Sequence, residues 1–109
     1  MFSTVEAMIC KTHSEELSLQ LYWDDTSIGH NGPTKNPPEI PVVFLDGHTL
    51  CFIGTHLDYT VLLFDADGLV YQAYLSSLSS QIVLPSIFSG NYELRLVATD
   101  YYLSTIIEL

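Results

Sequence analysis

Asp65-Ala66-Asp67-Gly68, set between Phe64 and Leu69-Val70-Tyr71, is the stretch of this 109-residue chain that looks most like a fragment of a metal loop. An EF-hand loop needs oxygen ligands spread over about twelve residues and closed by a bidentate glutamate. Leu, Val, Tyr, Gln, Ala and Tyr follow Gly68, so no closing carboxylate arrives. Aspartates that bond their own nearby backbone, followed by a glycine free to take positive φ, are the chemistry of a tight hairpin. Residues 65–68 are therefore predicted to be a turn between two strands, and Asp46-Gly47 a second turn of the same kind.

A weaker metal reading survives that assignment. In an antiparallel sandwich every short connection reverses the chain, so turn 46–48, turn 65–68 and loop 85–90 share one end, with Asp58 and Asp100 at the other. Asp46, Asp65 and Asp67 are thus the candidate ligands for a hard cation such as calcium, although turn aspartates also occur for purely local reasons.

The remaining chemistry-bearing residues point away from catalysis. His13, His30, His48 and His56 stand in tail or turn contexts without metal-ligand spacing, and His48 and His56 flank one strand, which places them at opposite ends. Ser76, Ser77, Ser79 and Ser80 read as a strand connection rather than a nucleophile turn. A small hydrolase would need titratable groups converging in a pocket, and the sequence assembles none; a deep pocket around His30 or His56 would revive that reading. Trp23 beside Asp24 and Asp25 continues the buried parity of its segment and is predicted to plug the core. Tyr92, just inside a strand that follows a loop, is expected to anchor that corner through its hydroxyl, as a tyrosine can in immunoglobulin-like folds. Tyr22, Tyr59, Tyr74, Tyr101 and Tyr102 are the candidate ligand-binding residues, a contact surface for sugar or protein if they face outward. Tyr101 and Tyr102 alternate faces, so one of the two should be exposed.

The elements that must position these groups are short. Leu17, Leu19, Leu21 and Trp23 alternate with Ser18, Gln20 and Tyr22, the pattern of a strand with one buried face. Residues 24–41 hold Gly29, Gly32 and four of the five prolines, which makes them a long crossing loop. Thereafter VVFL (42–45), TLCFI (49–53), YTVLLF (59–64), LVYQAYL (69–75), QIVL (81–84), NYELRLV (91–97) and YYLSTIIEL (101–109) recur at nearly regular intervals between turn residues. This spacing argues for an all-β antiparallel sandwich of about seven to eight strands. Parity nominates Leu50, Phe52, Leu69, Tyr71, Ile82, Leu84, Tyr92, Leu94, Leu96, Leu103 and Ile107 for the core. Residues 1–16 are a tail, or a short helix over 4–11 capped by Ser3 and Glu6, and residues 17–109 form one domain.

Composition bounds the partners. Lys11, Lys35 and Arg95 oppose thirteen carboxylates, for a net charge of −10, so no basic patch exists to meet nucleic acid or an anionic membrane. No apolar run approaches the ~20 residues of a transmembrane helix, and Glu6 interrupts the only segment resembling a secretory signal. Cys10 and Cys51 are too few for a disulfide framework; one bridge is possible, but a tail thiol and a small apolar strand residue are the simpler reading. No cofactor is called for, and oligomeric state is not legible.

Several of these stretches together resemble a known family: Trp23-Asp24-Asp25, the proline-rich loop, Leu45-Asp46-Gly47-His48-Thr49-Leu50, Asp65 to Tyr71, Leu84-Pro85, Ser89 to Leu94, and Tyr101 to Leu109. The chain is similar, over roughly residues 17–109, to small Bacteroides-type proteins of unknown function, usually secreted, with an immunoglobulin-like β-sandwich. That resemblance implies a secreted, periplasmic or cell-envelope location and transfers no catalytic residue. The expected function is a noncatalytic extracytoplasmic binding or structural module that meets a protein or glycan through loop 24–41, exposed tyrosines or an edge strand. The alternative is a calcium-dependent glycan-binding adhesin built on the turn aspartates.

Overall fold

The computed structural model describes residues 15–23 and 39–109. Within them the chain forms nine strands: β1 (Glu15–Glu16), β2 (Gln20–Trp23), β3 (Val42–Asp46), β4 (Thr49–Ile53), β5 (Tyr59–Asp65), β6 (Gly68–Leu75), β7 (Gln81–Val83), β8 (Asn91–Val97) and β9 (Tyr101–Glu108). They pair antiparallel into a four-stranded sheet, β1-β3-β4-β7, and a five-stranded sheet, β2-β9-β8-β5-β6. Alternation packs the two sheets face to face. Val43 and Leu45 of β3, Leu50 and Phe52 of β4, Val61 and Leu63 of β5, Leu94 and Leu96 of β8, and Leu103 and Ile107 of β9 all point into one buried cluster. No polar or charged residue is buried among the described residues.

The ninth strand arises because the predicted first strand is split. Glu15 and Glu16 pair with Leu45 and Phe44 in one sheet; Gln20 to Trp23 pair with Ser104 to Tyr101 in the other. Leu17, Leu19 and Leu21 pack against the core as the chain crosses, and Leu17 N–H donates to Val43 O at 2.9 Å before the crossing. Strand pairing thus begins two residues ahead of the boundary expected at 17. The possible helix over 4–11 and residues 24–38 of the crossing loop lie outside the described residues. Trp23 is not the core plug that parity predicted: it ends an edge strand, is 44% exposed, and meets the buried Tyr101 ring edge-on at 6.0 Å.

Both hairpin turns have the expected chemistry. Gly47 takes φ 62 as the first of two residues between paired Asp46 and Thr49, the sign pattern of a type II′ turn. Asp65 pairs with Gly68, which has φ 127, and the Asp67 N–H donates to Asp65 Oδ1 at 2.7 Å. A register shift follows: Leu63 pairs with Tyr71 but Phe64 with Leu69, so one extra residue enters β6. That bulge explains why Leu69, nominated for the core, ends up opposite outward-facing Phe64 and is 50% exposed. Tyr92 is the corner anchor that was expected: its hydroxyl donates to Ser89 O at 3.2 Å and accepts from Ser89 N–H at 3.1 Å.

Cys51 corrects another expectation. It is buried in β4 and disulfide-bonded rather than a free apolar filler. Cys10, the chain's other cysteine, lies outside the described residues.

Two substitutions test this architecture. A Cβ at Gly68 would meet no atom within 4 Å, so the cost expected of Gly68→Val is that of forcing a β-branched residue to φ 127. We expect a loss of about 1 kcal/mol or more, read as a lower midpoint in urea with an unchanged slope. Leu103→Ala, in the fully buried centre of β9, should cost about 2–5 kcal/mol in the same measurement; a loss below about 1 kcal/mol would contradict the two-layer core.

Candidate binding surface

The connections fall at two ends of the sandwich. Turn 46–48, turn 65–68 and loop 84–90 occupy one, where Leu84 N–H donates to His48 O at 2.7 Å and His48 Nε2 lies 2.8 Å from Phe88 O. Phe88 in turn packs edge-on against Tyr71 and Tyr92. This end is closed by aromatic rings. Asp46, Asp65 and Asp67 are not gathered there as ligands: no three His, Cys, Asp or Glu side chains among the described residues form a group that could hold a metal. Asp65 instead closes its own turn, which is the local role that competes with metal binding.

At the opposite end, Glu39 to Val42, Ile53 to Leu57, Tyr59 and Tyr101 line an open cavity of about 580 Å³. Tyr59 and Tyr101, both nominated as ligand contacts, are in fact buried at 1% and 5% exposure, because each opens its strand on the inward parity. Burial, with Tyr101 alongside, pushes the Tyr59 phenol far above its usual range, so it stays neutral. The Tyr101 hydroxyl is buried beside Tyr59 with no geometrically good hydrogen-bond partner among the described residues.

His56, Asp58 and the serines of residues 76–80 meet at this end, a combination that by residue type suggests a hydrolytic triad. Their bonds say otherwise. His56 Nδ1 lies 2.7 Å from Leu57 O and Nε2 lies 2.6 Å from Ser79 O, so both ring nitrogens face backbone carbonyls rather than a serine hydroxyl and a carboxylate. Phe52 and Tyr59 stack against the same ring. Asp58 Oδ1 accepts from Ser77 N–H at 2.6 Å, and that bond holds its carboxyl below the usual carboxylate range. These groups pin the β4–β5 and β6–β7 connections to each other.

The outward face of the five-stranded sheet carries the remaining nominated tyrosines. Tyr22 and Tyr102 are direct cross-strand partners and stack at 5.2 Å with an interplanar angle of 20°. Tyr22 is 44% exposed, and its hydroxyl donates to Gln20 Oε1 at 3.1 Å. The Arg95 guanidinium lies 4.5 Å from the Phe64 ring centroid and 4.9 Å from that of Tyr102. Its Nε donates to Glu93 Oε2 at 2.8 Å, and the Ser104 hydroxyl donates to the same oxygen at 2.7 Å. Sequence parity placed Glu93 and Arg95 outward, but their pairing and the rings beside Arg95 require cross-strand register, which a single strand does not contain.

Tyr74 lies on the last strand of this sheet, opposite Thr60, and is 67% exposed. Partial desolvation, then the neighbouring Asp58, raises its phenol above the ordinary value. Among the described residues β6 is the last strand of this sheet and pairs with β5 on one side only. Its eight residues, GLVYQAYL, include no charge and no proline.

No protein-family model matches the chain, and no curated protein matches it. Among solved structures it is similar to a DUF3244 family protein with an immunoglobulin-like β-sandwich fold from Bacteroides vulgatus, with a TM-score of 0.57 over 88% of this chain and 98% of that one. The fold is immunoglobulin-like. At 19% identity the likeness extends to architecture, and it agrees with the resemblance read from the turn and core stretches. No helix among the described residues is long and apolar enough to cross a membrane.

The Glu93–Arg95 pair yields a pH test. Arg95 first, then the Ser104 hydroxyl, holds the Glu93 carboxyl below its ordinary value. Its stabilising contribution is present above the unfolded pKa of about 4.3 and lost as pH falls through the lower folded value. Each side chain is about one-third exposed, so screening limits the effect to about 1 kcal/mol or less. Thermal melting from pH 6 to 3 should show Glu93→Gln less stable than wild type at the upper end, with the difference shrinking on acidification. A constant difference would mean that charge at Glu93 contributes nothing.

Proposed function

We propose that this protein is a noncatalytic binding or structural module that works outside the cytoplasm and meets a protein or glycan through the five-stranded sheet. The observation that carries the reading is the side of β6 that no described strand pairs with, on an uncharged strand eight residues long that carries exposed Tyr74. Sheet edges left with free backbone donors and acceptors are templates for another chain, and natural proteins usually blunt them with lysine, proline or short length. β6 runs eight residues with neither lysine nor proline, and its one such device is the bulge near its start. Tyr22 and Tyr102 add a stacked aromatic surface on the same sheet, of the kind that contributes disproportionately to contact energy. The disulfide at Cys51 supports an oxidising compartment.

Cross-linking capture from a native cell envelope, run beside a glycan array, tests this reading. Wild type should retain a specific protein or glycan that is lost, by at least ten-fold, from Tyr22→Ser/Tyr102→Ser or from Gln72→Lys, with all variants still folded by circular dichroism. Retention unchanged in both variants, or no retained species in either format, would overturn it.

A further inference from the structure

Resting on the reading of β6 as a contact edge, the charge around that strand points to what it accepts. Both ends of β6 are acidic. Asp65 and Asp67 form the turn that opens it. At the far end Asp58 Oδ1 accepts at 2.6 Å from the N–H of Ser77, the second residue after Leu75. Arg95 is the one Lys or Arg among the described residues, and Glu93 already holds it. The strand between these acids is apolar or neutral throughout.

We infer that β6 accepts an extended segment of another chain, uncharged along its middle and basic at both ends. At ~3.3 Å per residue the eight positions of β6 span about 26 Å, which sets the separation of the two basic ends. The middle of the segment pairs backbone to backbone with the regular part of the strand, Tyr71 to Leu75, below the register shift. Its side chains on the outer face lie against Gln72 and Tyr74. The flanking lysines or arginines meet Asp65 and Asp67 at one end and Asp58 at the other. A second copy of this chain is the poorer occupant: antiparallel self-pairing brings the Asp58 end of one β6 toward the Asp65–Asp67 end of the other, between molecules that each carry a net charge of −10.

The test uses the full chain, isotopically labelled, and a capped synthetic octapeptide of alternating valine and threonine with a lysine at each end. Amide resonances of residues 68–77 should shift on titration. Affinity should fall at least ten-fold when glutamates replace the lysines, fall with added salt, and vanish when every central peptide nitrogen is methylated. Gln72→Lys should weaken the lysine peptide at least ten-fold. Equal binding of the methylated or glutamate peptide overturns the inference, as does absence of any shift in β6. A dimer of the free chain in sedimentation that Gln72→Lys dissociates also overturns it, in favour of self-pairing. If the peptide fails while the Tyr22/Tyr102 variant still loses its captured partner, the strand partner is rejected and the binding-module reading stands.

Discussion

Everything outward in this protein depends on what its strands turn inward. Val43, Leu50, Val61, Leu63, Leu94, Leu96 and Leu103 are completely or almost completely withdrawn from water, and they come from both sheets. With side chains alternating along each strand, fixing that apolar layer also fixes which residues face solution. The Tyr22–Tyr102 stack and the Arg95 sandwich are the other half of the same alternation, read on the outer side of β9 and β8. A one-residue slip in β8 would bury Arg95 and Glu93 and expose Leu94 and Leu96, so the surface chemistry and the core are held by one register.

Much of this was legible in the sequence, for identifiable reasons. Period-two alternation gave the strands of residues 42–109, and Gly47 and Gly68 marked turns because their positive φ suits no other residue as well. Tyr92 was readable because a corner hydroxyl bonds within three residues. The exposure of Trp23 and Leu69 and the burial of Tyr59 and Tyr101 depend on long-range information that no single strand carries. Where a strand crosses to the second sheet, where a bulge inserts a residue, and how far cover extends over a strand's first position depend on partners distant in the chain. The tyrosine set divides accordingly: Tyr59 and Tyr101 went inward, while Tyr22 and Tyr74 stand in solution and Tyr102 lies half-buried beneath Tyr22.

The two ends of the sandwich are built by different means. One is sealed by Phe88, Tyr71, Tyr92 and the His48 contact. The other is laced by His56, which reaches the Leu57 and Ser79 carbonyls, and by Asp58, which accepts from the Ser77 N–H. Groups that would suggest catalysis by composition are thereby occupied in holding loops. Of the four edge strands in the described structure β6 is the longest, so its flank offers the longest run of unspent backbone hydrogen-bonding capacity, the condition for recognition by strand addition.

The divided first strand has a mechanical meaning. Because Glu15–Glu16 is hydrogen-bonded into one layer and Gln20–Trp23 into the other, the start of the domain acts as a clasp across the sandwich. Tension applied at Glu15 would load the four-stranded layer first and reach the five-stranded layer only after the short rung to β3 had given way.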